Sequence, residues 1–160
     1  HRTIAHVGGV GDFRKKDAYR YCCDKYDIKP VEYVYDLTKS VDETIQRGVD
    51  IAANKARHSA LIGTDYGLSI MAQGMYQAGL SIPDELSIIA FASNRSPVQY
   101  FRPPLTSVLQ DCESMSRYSM ALMNNLLSSD SKDCQPESIV LQPEIILRNS
   151  VQTRGGEVGL

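Results

Sequence analysis

Residues 60–94 read ALIGTDYGLSIMAQGMYQAGLSIPDELSIIAFASN, and the spacing of their apolar side chains decides the architecture. A short apolar strand over 60–63 stops at Thr64-Asp65. Leu68, Met71, Ala72, Met75 and Ala78 then recur every three or four residues, the period of a helix with one buried face. Gly79 ends that helix, and a turn holding Ile82-Pro83-Asp84 leads into a second apolar strand over 86–91, which closes in Ala92, Ser93 and Asn94. Strand, helix and strand in this order make one right-handed crossover of a parallel sheet, and a strand apolar on both faces is expected to be covered on both. Ligands of such sheets sit outside the carboxyl ends of the strands, so Thr64-Asp65 and Ser93-Asn94 are expected to share one rim.

The flanking sequence repeats the pattern. A β-prone run over 3–7 ends in Gly8-Gly9-Val10-Gly11-Asp12, with Asp12 expected to cap the helix that follows. The glycines do not fit the G-x-G-x-x-G dinucleotide fingerprint, because Gly9-Val10-Gly11 is followed by Asp12, Phe13 and Arg14. Arg14, Lys15 and Lys16 crowd the first turn of that helix, the unfavourable end of its dipole for cations. They mark either a ligand-facing surface or a solvated one. On the same helix Cys22 is expected to face the core beside Ala18 and Tyr19 or Tyr26, with Cys23 outward.

A second strand over 31–35 ends at Asp36-Leu37-Thr38. Ser40 or Thr38 caps a helix through Lys55 whose buried stripe is expected to be Ile45, Val49, Ala52, Ala53 and Ala56. Residues 93–104 are irregular. A short strand over 105–109 precedes a helix capped by Asp111, with Met115, Tyr118, Leu122, Met123 and Leu126 on one face. A polar loop follows, then a last strand over 138–147 broken by Pro143, which marks an edge. Residues 151–160 read as a frayed tail. The fold class is therefore α/β, a parallel doubly wound sheet with helices on both faces.

Composition narrows the function. The 160 residues carry 17 basic and 19 acidic side chains with no Lys/Arg run longer than the three residues 14–16, which argues against this segment gripping a phosphate backbone. No apolar run is long enough to span a membrane, so no membrane partner is expected. The four cysteines, two of them adjacent, lack metal-site spacing and read as reduced thiols of an intracellular chain. Only His1, His6 and His58 are present, none placed for a nucleophilic triad; no cofactor loop and no metal-ligand cluster is legible. What remains is four strand ends, at 9–12, Asp36, Thr64-Asp65 and Ser93-Asn94, three of them with a carboxylate. That suits a polyhydroxylated or amine-bearing small molecule, since a carboxylate accepts two hydroxyl hydrogen bonds; the alternative for each Asp is a plain helix cap.

Gly63-Thr64-Asp65, the element Gly79-x-x-Ile82-Pro83-x-x-x-Ser87-Ile88-x-x-Phe91, Pro103-Pro104-Leu105-Thr106 and the closing Arg148-x-Ser150 resemble the effector-binding domain of the lactose/galactose-repressor family. The resemblance implies a periplasmic binding protein type I-like lobe, one of two around a hinged cleft. It further implies a small effector, sugar or nucleoside-like, a homodimer, and DNA contacts made only through a helix-turn-helix head that this chain lacks. Residues 1–104 would form the second lobe, 105–137 would cross to an absent first lobe with 105–127 packing there, and 138–150 would return as a closing strand.

Of the candidate ligand-binding residues, Asp65 matches the family's strand-end Asp that hydrogen-bonds effector hydroxyls, and Thr64 replaces the usual Asn. Lys15, with Arg14 adjacent, stands where an Arg is common. Asp36-Leu37 matches a strand end that often bears a stacking aromatic, and Ala92-Ser93 replaces a more acidic pair. Asp12, Ser93 and Asn94 complete the expected site, and Tyr100 and Phe101 fall near the family's dimer contact. A periplasmic-type solute-binding protein for sugar uptake is the rival with the same fold. An enzyme lacks a legible nucleophile, base or cofactor loop.

Overall fold

The computed structural model describes residues 3–36, 38–54, 58–93, 96–128 and 137–152. Lys55, Ala56, Leu37, Asn94, most of the polar loop and the tail from 153 lie outside the described residues. The chain runs β1 (Ile4–Gly9), α1 (Phe13–Lys25), β2 (Glu32–Tyr35), α2 (Val41–Ala53), β3 (Ala60–Thr64), α3 (Asp65–Gln77), β4 (Ser87–Ser93), a short 3-10 helix (Pro97–Tyr100), β5 (Thr106–Gln110), α4 (Cys112–Ser128) and β6 (Glu144–Ile146). The six strands form one sheet in the order β2-β1-β3-β4-β5-β6, parallel except for β6. The reversal of strand order beside β1 is the switch point of a doubly wound sheet.

Helices α2 and α3 cover one face. Ala5 and Val7 of β1, Leu61 of β3, and Ile88 and Ala90 of β4 bury there with Leu68, Met71 and Met75 of α3. The two helices meet backbone to backbone: a β-carbon on Gly48 would lie 2.0 Å from the Met71 carbonyl oxygen, and one on Gly74 2.0 Å from that of Ile45. Because Gly48 must face α3, the buried stripe of α2 is Thr44, Gly48, Ile51 and Ala52, and the expected Ile45 and Val49 are only half-buried while Ala53 is exposed.

Helix α1 lies on the opposite face. Tyr19 and Cys23 are its two buried residues, so the expected orientation of the adjacent cysteines is reversed: Cys22 is exposed. The Tyr19 hydroxyl fixes this, donating to the Ile4 carbonyl at 2.8 Å and accepting from the Val31 N–H at 2.9 Å; Cys23 sits one turn further along the same stripe. Burial pushes the Tyr19 phenol up to about 12. The double coverage expected for β4 is incomplete. Ile88, Ala90 and Ala92 are buried, whereas Ile89, Phe91 and Ser93 are half-buried, because α1 shields the β1 side of that face and leaves β3 and β4 partly open.

The strand expected to lead away at 105–109 belongs to this sheet, with Ile89 opposite Thr106 and Ser93 opposite Gln110. Among the described helices α4 stands off, and none of its described residues is buried. The expected long closing strand is three residues of β6. The segment after it is held by side chains instead. Ser150 Oγ accepts from the Thr106 N–H at 2.8 Å and donates to the Ile88 carbonyl at 2.6 Å, and Arg148 Nη1 donates to the Leu105 carbonyl and Ser107 Oγ, each at 2.7 Å. The Arg-x-Ser pair is thus a bolt between β4 and β5.

Candidate functional site

The carboxyl ends of β2, β1, β3 and β4 lie side by side. Tyr35 is level with Gly9, Val7 with Gly63, and Thr64 with Phe91, so the ends form one rim about 14 Å wide at ordinary strand spacing. Helix α1 starts from it on one face and α3 on the other.

Asp65 is the first residue of α3. Its Oδ1 accepts from the Tyr66 N–H at 2.8 Å, a favourable place for a carboxylate at a helix N-terminus. Thr64 precedes it but does not cap the helix; its Oγ1 pairs with the Tyr35 hydroxyl at 2.7 Å. Asp12 precedes α1, and the cap expected of it is missing. Its backbone (φ −80, ψ 55) is not in the extended cap conformation, and Oδ1 is held by Lys15 Nζ at 3.4 Å. Lys15 also lies 5.8 Å from the centre of the Phe91 ring, which places its ammonium between the β1 and β4 ends. Arg14 is exposed on the same flank, and Ser93 ends β4 half-buried.

Asp36 is drawn aside. Its Oδ1 accepts from the Thr38 N–H at 2.9 Å and the Thr38 hydroxyl at 2.7 Å, and these bonds hold its carboxyl below the usual range. It lines a shallow groove with Lys39, Glu43 and Arg47 at the β2 edge. The rim therefore gathers Asp12, Lys15, Thr64, Asp65 and Ser93, with Asp36 outside that group.

Two aromatics escaped the sequence reading. Tyr35 is buried under the rim: a β-carbon on Gly67 would lie 2.2 Å from its ring and one on Gly9 3.2 Å away, so both glycines are the space it occupies. Burial raises its phenol pKa against the opposing bond to Thr64. Tyr66 tilts against Tyr35 at 6.2 Å between ring centres yet is 51% exposed, a flat apolar surface beside Asp65. The legible signals were a glycine two residues into the helix and an aromatic off its buried stripe. Beneath α1, His6 Nε2 and Asp12 Oδ2 are buried without a protein hydrogen-bond partner, and both residues line a hollow of about 200 Å³ with the glycines of the β1–α1 turn. A site of that size and polarity takes an ordered water or a ligand hydroxyl. Burial lowers the His6 pKa, so its ring stays neutral.

The signature of the periplasmic binding protein-like domain matches residues 1–151. The chain belongs to that family. Among curated relatives of this periplasmic binding protein-like domain, it is 29% identical over 149 residues to the HTH-type transcriptional regulator GalR of Streptococcus thermophilus, covering 89% of this chain and 43% of the relative. It is 37% identical over 79 residues to the transcriptional repressor PurR of Actinobacillus pleuropneumoniae, covering 48% and 22% respectively. The chain thus spans less than half the length of these relatives. The lac repressor dimer bound to operator and an anti-inducer superposes with a TM-score of 0.80 at 16% identity, over 96% of this chain and 54% of that one; the fold is shared. A CelR–cellobiose complex gives 0.76 at 19% identity over 94% and 47%. The domain is of the lactose/galactose-repressor effector-binding type, and its relatives are transcription regulators. Among the described residues no group of His, Cys, Asp or Glu is placed to hold a metal ion, and no helix is long and apolar enough to cross a membrane.

Proposed function

We propose that this domain senses a small polyhydroxylated effector, a sugar or nucleoside-like molecule, at the rim, as one lobe of a homodimeric cytoplasmic transcription regulator whose DNA-binding head lies outside these residues. The observation that carries this reading is the pairing on one rim of a half-buried carboxylate, Asp65, with an exposed aromatic face, Tyr66, opposite the Lys15 ammonium. A carboxylate takes two hydroxyls, an aromatic face takes the apolar side of a sugar ring, and the cation completes a polar clamp. Relatives named as regulators support the role, and similar folds, one with bound ribose and one in complex with cellobiose, support the ligand class. Effector binding would close this lobe on a second one and shift the population of dimer geometries. Exposed Tyr100 suits the dimer contact, and the apolar face of α4 suits docking on the other lobe. The solute-binding alternative predicts a signal peptide upstream where the regulator predicts a helix-turn-helix.

Thermal-shift screening of the full-length protein against sugars, polyols and nucleosides tests the reading, because a ligand that binds only the folded state raises the midpoint. Asp65→Ala is expected to weaken the hit at least about tenfold, the loss of a hydrogen bond to a charged acceptor, without unfolding the domain. Unchanged affinity would remove Asp65 from the site.

A further inference from the structure

Beside the rim, a groove of about 510 Å³ runs along the flank of α1 over the part of the sheet that α1 leaves open. Its floor is Ile62 and Phe91, half-buried side chains of β3 and β4, and Ile28 closes its lower end. Arg14 and Lys15 stand at its upper mouth. From Arg14 to Tyr26, just past the end of α1, twelve residues rise about 18 Å, the reach of an extended acyl chain. The wall carries no Asp or Glu, and its one imidazole, His6, is buried. Neighbouring Lys16 and Arg20 are committed to Glu32 on the other side of the helix, whereas Arg14 lines the groove together with Lys15, whose ammonium also holds Asp12 at 3.4 Å.

Charge and polarity are therefore segregated along one cleft of ligand size, two cations at one end and apolar surface along the rest. We propose that this groove is a second ligand site, adjoining the rim at Lys15, for an apolar-bodied monocarboxylate whose carboxylate pairs with Arg14 and Lys15 and whose tail lies on Ile62 and Phe91. A carboxylate meets the guanidinium with two parallel hydrogen bonds, and the tail removes half-exposed apolar surface from water. The site does not depend on the effector reading.

Cys22 lines this groove and is exposed, while Cys112 is an exposed thiol on α4, so one molecule carries both reporter and control. The chain is equilibrated with dodecanoate below its micelle concentration, labelled briefly with N-ethylmaleimide, and read by mass spectrometry at each cysteine. Labelling of Cys22 is expected to slow by about fivefold at saturation, with Cys112 unchanged. Dodecyltrimethylammonium, the same tail with a cationic head, is expected to give no protection. Ala18→Trp, which fills the groove from an exposed helix position, is expected to abolish protection without changing the unfolding midpoint, and Asp65→Ala to leave it intact. Equal slowing at Cys22 and Cys112, protection by the cationic amphiphile, no protection at all, or Cys22 labelling that falls with protein concentration in the absence of dodecanoate would each overturn the proposal. The last would assign the groove to a second copy of the chain.

Discussion

Helices α3 and α4 carry the same kind of message and meet opposite fates. In α3, Leu68, Met71, Ala72 and Met75 recur at helical spacing and every one is fully buried. In α4, Met115, Tyr118, Met123 and Leu126 recur with the same period, yet these four are 43–55% exposed. Periodicity states that a face needs a partner, and says nothing of where the partner is. For α3 it is the sheet and α2, reached through a strand on either side. For α4 it is not among the described residues, and an exposed stripe of this size marks an interaction surface.

The largest expected effect separates the two directly. Met71→Asp buries an unpaired charge at the centre of the core and is expected to destabilise the domain by about 4 kcal/mol or more, unfolding it at room temperature. Met123→Asp on α4 is expected to leave the urea midpoint of the chain unchanged and to reduce self-association in sedimentation. A large loss of stability from the α4 variant would mean that its face is already packed and would end the contrast.

A smaller effect sharpens what fixes α3. Gly74→Ala places a methyl group against the Ile45 carbonyl, and because the obstacle is backbone the helices must part; a loss of about 3 kcal/mol in urea unfolding is expected. An exposed position of α4, Ser119→Ala, is expected to change nothing or gain a few tenths of a kcal/mol from helix propensity.

The smallest effect concerns the more loosely covered α1 face. His6 is buried and neutral, with its pKa below that of an unfolded histidine. The unfolded chain therefore binds the extra proton first. Stability is full above about pH 6.5 and declines as pH falls below that value toward the folded pKa. Calorimetry from pH 7.5 to 5.5 is expected to show a falling midpoint in the parent chain and a flatter profile in His6→Leu. An identical slope in both would place the titration elsewhere.

Much of the fold was legible because it rests on local chemistry. Apolar runs stopping at Gly8-Gly9, Asp36 and Thr64-Asp65 gave the first three strands and their ends, and the stripe of α3 named its buried residues. The candidate rim was legible to the same depth: Asp12, Lys15, Thr64, Asp65 and Ser93 do share it, since parallel strands separated by helices align their carboxyl ends whatever their side chains. What failed were statements about direction. The period allowed either Cys22 or Cys23 to face inward, and the Tyr19 hydroxyl, reaching the backbone of β1 and the start of β2, chose Cys23. Ile45 and Val49 gave way to Gly48 because two helices touch at their backbones, a contact that glycine permits and hydrophobicity does not record.

The sequence by itself determined the order of strands and helices, their boundaries to within a few residues except for the closing strand, and the sheet end at which a ligand would sit, because all three follow from residue spacing and chain handedness. Only the tertiary structure decided that Tyr35 supports the rim from below, that Asp36 turns to Thr38, that β5 stays in this sheet and that one half of the α1 face lies open. Each of these depends on residues far apart in the chain competing for one space or one hydrogen bond, or on a segment's own backbone offering the nearer partner, and such competitions are settled only when the pieces are brought together.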